Sequence, residues 1–140
     1  MDKRAIDIFD PGSLKVYDKG RLCIKAELLV HDVPNCGWKI HIHDPVGSDG
    51  DSLFYATDTA TLDSVFACCY DIYLIESNHT RAEIEARIAE KQSRGEFSYE
   101  VRAARNHLSQ EQANEWLARN AGPNSKCVFL HQHKEKYNAE

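Results

Sequence analysis

The sequence has no C-x-x-C pair, and its five cysteines are an odd number with Cys68 and Cys69 adjacent. That is neither a disulfide framework nor a zinc knuckle, so the cysteines read as small buried hydrophobes. No apolar run approaches the roughly 20 residues needed to cross a bilayer. The N-terminal MDKRAIDIFDPG carries charges where a secretory signal would carry an apolar stretch, so a cytoplasmic protein is expected. Positive charge is not in excess either. The net charge of −5 gives no general attraction to nucleic acid or an anionic membrane. Repeats, linkers and low-complexity segments are absent. What remains is 140 residues, 42% hydrophobic and 28% charged, the profile of one domain around one core.

Residues 1–20 form an N-terminal extension in which SLKVY reads as a short strand and Gly20 closes a turn. LCIKAELLV reads as the next strand, after which Pro34 and Gly37 break the chain. WKIHIH alternates cleanly, and the expectation is that Trp38, Ile40 and Ile42 face a core while Lys39, His41 and His43 face the other way. HIHDPV therefore reads as structural, although two histidines and an aspartate first suggest metal. PVGSDGD is turn chemistry, SLFYAT and DIYLI are short strands, and CVFLH is expected as a buried strand before the polar tail 132–140.

The helices carry better punctuation. Thr80 and Glu83 make a capping box ahead of RAEIEARIAEKQSRG, with Ile84 and Ile88 one turn apart. Ser109 and Gln112 make a second, followed by an apolar face of Ala113, Trp116 and Leu117, with Gly122 as the expected C-terminal cap. TLDSVFACC is expected to supply a third, shorter helix. Strands first, then strands alternating with helices, predict an α/β domain with a mixed β-sheet and helices on one face.

In such sheets functional groups gather at the carboxyl ends of strands. His31 follows AELLV, Asp58 follows LFYAT, Glu76 ends DIYLI and His131 closes CVFL, while His107 precedes a capped helix. Histidines and carboxylates on one rim make a divalent-metal or general acid–base site. Taken singly, each residue also has a structural explanation. Asp58 can cap a helix, Glu76 can accept amides of the next turn, and His107 and His131 can be hydrogen-bonded histidines.

H-D-V-P-N-C-G-W-K-I (31–40), A-T-D-T (56–59), L-I-E-S-N-H (74–79), H-L-S (107–109) and L-H (130–131) come in the order of motifs in a known family. From about residue 24 to 131 the chain resembles the second half of the metallo-β-lactamase fold, in its tRNase Z and exonuclease-like phosphodiesterase branch. By that resemblance His31, Asp58 and His131 are metal ligands, Asp58 bridging two ions, and the metal is zinc or manganese. Glu76 and His107 correspond to an acid–histidine pair that assists leaving-group protonation. His79 falls in an E-x-N-H pattern of the exonuclease-like branch.

The first half of that family carries H-x-H-x-D-H, which this sequence does not contain; the residues before position 24 are too few for such a half. Each metal would have two ligands from this chain, where about three are needed. Half of an αββα sandwich would also leave one apolar sheet face open, so a homodimer or a protein partner covering that face is expected. The first functional reading is a truncated, non-catalytic protein that binds another protein, for instance a viral inhibitor of a host defence system. The alternative is half of a metal-dependent phosphodiesterase or nuclease completed by a partner chain or dimer. Arg81, Arg87, Lys91, Arg94, Arg102 and Arg105 precede His107 with five glutamates interleaved between 83 and 100, which reads as a solvated surface. Arg102 and Arg105, nearest the rim, are the candidates for phosphate contacts.

Overall fold

A computed structural model of the chain describes residues 10–44 and 50–132. Along it run β1 (Leu14–Tyr17), β2 (Leu22–Leu29), β3 (Asn35–Ile42), β4 (Ser52–Ala56) and β5 (Ile72–Glu76). Then come α1 (Arg81–Ser93), α2 (Glu100–Asn106), α3 (Gln110–Asn120) and β6 (Lys126–Leu130). The six strands form one sheet in chain order, antiparallel from β1 to β4 and parallel from β4 to β6. This is the mixed α/β architecture the sequence predicts. Parallel pairing needs long crossovers, and the segments after β4 and β5 provide them. As a result β4, β5 and β6 all end at the same rim.

Both capping boxes form. Thr80 Oγ1 accepts from Glu83 N while the Glu83 carboxylate accepts from Thr80 N, each at 3.2 Å. Ser109 and Gln112 repeat the exchange at 3.2 and 3.0 Å. Such caps contribute about 1 kcal/mol apiece. α3 then presents Ala113, Trp116 and Leu117 to the sheet, where the Trp116 ring lies 5.2 Å from Phe54 and 5.8 Å from Tyr73. Together with Leu62, Val65 and Ala67 from the segment after β4, these residues make the core on one sheet face. α1 and α2 pack on each other. No helix among the described residues is long and apolar enough to cross a membrane.

Several expectations are corrected. TLDSVFACC is not a helix but a run of turns. Its polar groups are taken by distant partners: Val65 O accepts from Trp116 Nε1 at 3.0 Å, and Ala67 N donates to Asn120 Oδ1 at 3.1 Å. α3 ends at extended Ala121 rather than on a glycine cap, and Gly122 N instead donates to Ser125 Oγ at 2.9 Å. Gly37 does not break the chain but lies inside β3, because a Cβ there would stand 2.6 Å from Tyr55 O. β6 is an edge strand with Lys126, Cys127 and Val128 exposed, not a buried one. None of the cysteines is fully buried; Cys68, Cys69 and Cys127 are exposed. The polar tail from 133 and most of the PVGSDGD turn lie outside the described residues.

The orientation of β3 is also reversed. His41 lies on the helix-covered face, in register with Ser52 and beside Lys39 and Phe54, and its Nε2 meets Tyr70 Oη at 3.0 Å. Ile42 points the other way and is half exposed. On that opposite face the register lines up two apolar ladders. One runs Ile24–Ile40–Leu53–Ile72 and the other Ala26–Trp38–Tyr55–Leu74–Val128. Apart from Ala26 these side chains are only partly buried or exposed, whereas Phe54, Ala56, Tyr73 and Ile75 across the sheet are fully enclosed.

Candidate metal centre at the sheet rim

Glu76 is the last residue of β5 and is completely buried. A buried carboxylate must be paired or hydrogen-bonded, and this one is both. Its Oε2 accepts from Thr59 N at 3.0 Å and Leu108 N at 3.3 Å. Its Oε1 faces two imidazoles, His107 Nδ1 at 2.7 Å and His131 Nδ1 at 2.9 Å. His107 reaches this position because residues 78–79 pair with the segment after it. Asn78 N donates to Leu108 O and Gln110 N to His79 O, extending the rim beyond β5.

Asp58 and His131 flank Glu76 from the neighbouring strands. Both stand just past a strand end on left-handed backbone, each at φ +54°. That conformation costs an L-residue about 1–2 kcal/mol and persists only where the surroundings impose it. Asn35 Nδ2 holds the Asp58 turn by donating to Thr57 O and Asp58 O at 2.8 and 2.9 Å. Asn78 Nδ2 does the same for His131 O at 3.0 Å. The two turns aim Asp58 Oδ1 and His131 Nδ1 at each other, 3.0 Å apart. Ligand atoms of Asp58, Glu76, His107 and His131 all lie within 4.8 Å of one another.

His31 is beside this group but outside it, its ring 5.4 Å from that of His107. Its Nδ1 meets Asp32 Oδ1 at 2.8 Å, and Asp32 Oδ2 is in turn held by the Arg102 guanidinium. That hydrogen bond keeps the Asp32 carboxyl below its ordinary range. Val33 N–H also donates to His31 Nδ1, at 3.4 Å. The other ring nitrogen, Nε2, is buried and without a hydrogen-bond partner. A carboxylate fixing one imidazole nitrogen so that the other is free is the arrangement that orients metal-binding histidines.

No protein-family model matches the chain, and no curated protein matches it. The chemistry of the site therefore rests on its own geometry. Two imidazoles and two carboxylates form a donor set that zinc or manganese accepts, and the free His31 Nε2 adds a fifth donor, the third nitrogen, at its edge. A cleft of about 350 Å³ opens over it, lined by His31, Asp58, Tyr99, Arg102, Asn106, His107 and His131.

All five residues singled out in the sequence thus stand at one rim, four in the tight group and His31 next to it. Of the two phosphate candidates, Arg102 is committed to Asp32 on the cleft wall, and Arg105 lines an adjoining cleft with Phe97 and Val101. His79 lies behind His107 and His131, where burial pushes its imidazole below the ordinary value. Sequence reasoning missed Asn35, Asn78 and Asp32, which hold the turns and the His31 ring. Their only signal was an amide or acid one to four residues from a candidate ligand, a pattern common in turns.

Proposed function

We propose that this chain is the metal-binding half of a metal-dependent phosphodiesterase of the metallo-β-lactamase type, working against a second protein through its open sheet face. The observation that carries this reading is the convergence of Asp58, Glu76, His107 and His131 within 4.8 Å. Asp58 and His131, with His31 Nε2, would hold zinc or manganese. A divalent ion in such a site polarises a phosphoryl oxygen and makes water a stronger nucleophile at neutral pH. His107, backed by Glu76 at 2.7 Å, supplies the proton for the departing oxygen. Arg102 keeps Asp32, and through it His31, in orientation.

The two apolar ladders support the partner. Large apolar patches left open on soluble chains mark interaction sites, and the H-x-H-x-D-H ligands absent from this sequence would come with whatever covers that face. The same ladders favour a second reading, in which the chain binds another protein, as an inhibitor would, without catalysis. Calorimetric titration with Zn²⁺ or Mn²⁺, joined to light scattering at micromolar protein, separates the two. Bound metal that is lost in Asp58→Asn, together with a dimer or complex, supports the phosphodiesterase half. A dimer or complex that binds no metal supports the binding protein. A metal-free monomer contradicts both.

A further inference from the structure

Cys68 and Cys69 lie in the crossover between β4 and β5, next to the amino end of β5 and far along the sheet from the carboxyl-end rim. Side chains of adjacent residues normally point apart along an extended chain. Here the two sulfurs are 3.1 Å apart and exposed. The backbone of Cys69, turned to φ +59°, brings both thiols to one side. That turn is fixed from the core. Cys69 N donates to Asn120 O at 2.8 Å, and Tyr70 N to Tyr73 Oη at 3.0 Å. Tyr73 Oη itself shares its proton between Ala67 O and Asn120 O, at 2.8 and 2.9 Å. Tyr73 is fully buried and Asn120 nearly so.

A disulfide is the wrong product for this pair. Unstrained disulfides join Cα atoms about 4.4–6.8 Å apart, whereas neighbours across a trans peptide are about 3.8 Å apart. Strained disulfides are readily reduced, so the dithiol is the resting form. The hydrogen bond it shares with Cys69 raises the Cys68 thiol, keeping its proton on at neutral pH. A pre-set pair of neutral thiols suits a centre that bonds two sulfurs at once, because the second bond forms within the complex.

We propose that Cys68 and Cys69 form a two-sulfur site for a thiophilic trivalent centre, an organic arsenical R–As=O being the simplest ligand. Two S–H bonds and the As=O bond are replaced by two As–S bonds. The two protons leave with the oxygen as one water, and arsenic stays trivalent, so no oxidant is needed.

The test uses phenylarsine oxide on the reduced full chain in excess monothiol, with intact and peptide mass spectrometry. The wild type is expected to retain one equivalent, mapped to the peptide holding both cysteines, and to release it to an added small dithiol. Cys68→Ser should bind about 100-fold more weakly or worse, since only a single sulfur remains; Cys127→Ser should bind as the wild type does. An unchanged thermal transition in Cys68→Ser shows that the fold is kept. Wild-type retention no better than that of Cys68→Ser, an adduct mapping to other cysteines, or loss of binding in Cys127→Ser would each overturn the proposal.

Discussion

Asp58 and His131 meet across the rim at 3.0 Å, and each does so from a backbone turned to φ +54°. Two L-residues in the left-handed region, just past the ends of the two strands that flank β5, are a conformational cost concentrated at one place. Strain of this kind clusters where a site needs side chains aimed against the ordinary run of the chain. Glycine at 58 removes that cost. Asp58→Gly is therefore expected to leave stability within about 1 kcal/mol of wild type, or to raise it, while abolishing metal binding. Urea denaturation and metal titration on the same sample check both halves. A large loss of stability would mean that Asp58 is held for structure alone.

Glu76 is the opposite case. Its carboxylate is enclosed and joins two backbone amides to two imidazoles. Removing it leaves buried donors unpaired, and Glu76→Ala is expected to cost about 3–5 kcal/mol. The midpoint of urea denaturation should fall accordingly. A loss below about 1 kcal/mol would show that water replaces the carboxylate freely.

Gly37 tests the register of the sheet. A Cβ at this position would stand 2.6 Å from Tyr55 O, a backbone atom of the neighbouring strand, so β3 and β4 must separate to admit it. Gly37→Ala is expected to destabilise the fold by about 1–3 kcal/mol, as overpacking does. Equal or greater stability would mean that the two strands pair differently.

His41 and Tyr70 set the pH response of the core. Burial pushes the His41 imidazole below its ordinary 6.5, with His43 adding to the effect and Asp71 opposing it. Burial, with Tyr73 and Glu27 nearby, pushes the Tyr70 phenol up to about 12. With the phenol protonated and the imidazole neutral, Tyr70 Oη and His41 Nε2 share a hydrogen bond at 3.0 Å. A histidine with a lowered folded pKa contributes stability that is complete above about pH 6.5 and is lost as pH falls through the folded value. At the alkaline end, stability falls from about pH 10 upward as the unfolded tyrosine ionises before the folded one. Replacing His41 by Asn should flatten the fall in stability between about pH 7 and 5. An unchanged slope in that range would mean that other groups carry it.

Much of this was legible in the sequence. Strand alternation, two capping boxes and polar residues at strand ends are local signals, and they led to Asp58, Glu76, His107 and His131. What failed was decided by distant partners. Leu62 and Val65 are buried three apart, as in a helix, but the polar groups around them are satisfied by Trp116 and Asn120, far along the chain. The alternation of β3 gives two faces without saying which one α3 covers, so His41 went to the wrong side. α2 has no side-chain cap at Tyr99 and left no start signal.

The most direct test is metal content after equilibrium dialysis of the wild type and Asp58→Asn against Zn²⁺ or Mn²⁺. Asparagine tolerates the left-handed turn, so this variant removes charge and keeps the backbone. The expected result is one ion per wild-type chain and none in the variant. Metal at about 100 times its dissociation constant should also stabilise the wild type alone, by about 2.7 kcal/mol. A wild-type chain that retains no ion, or a variant that binds as much as the wild type, would contradict the metal centre.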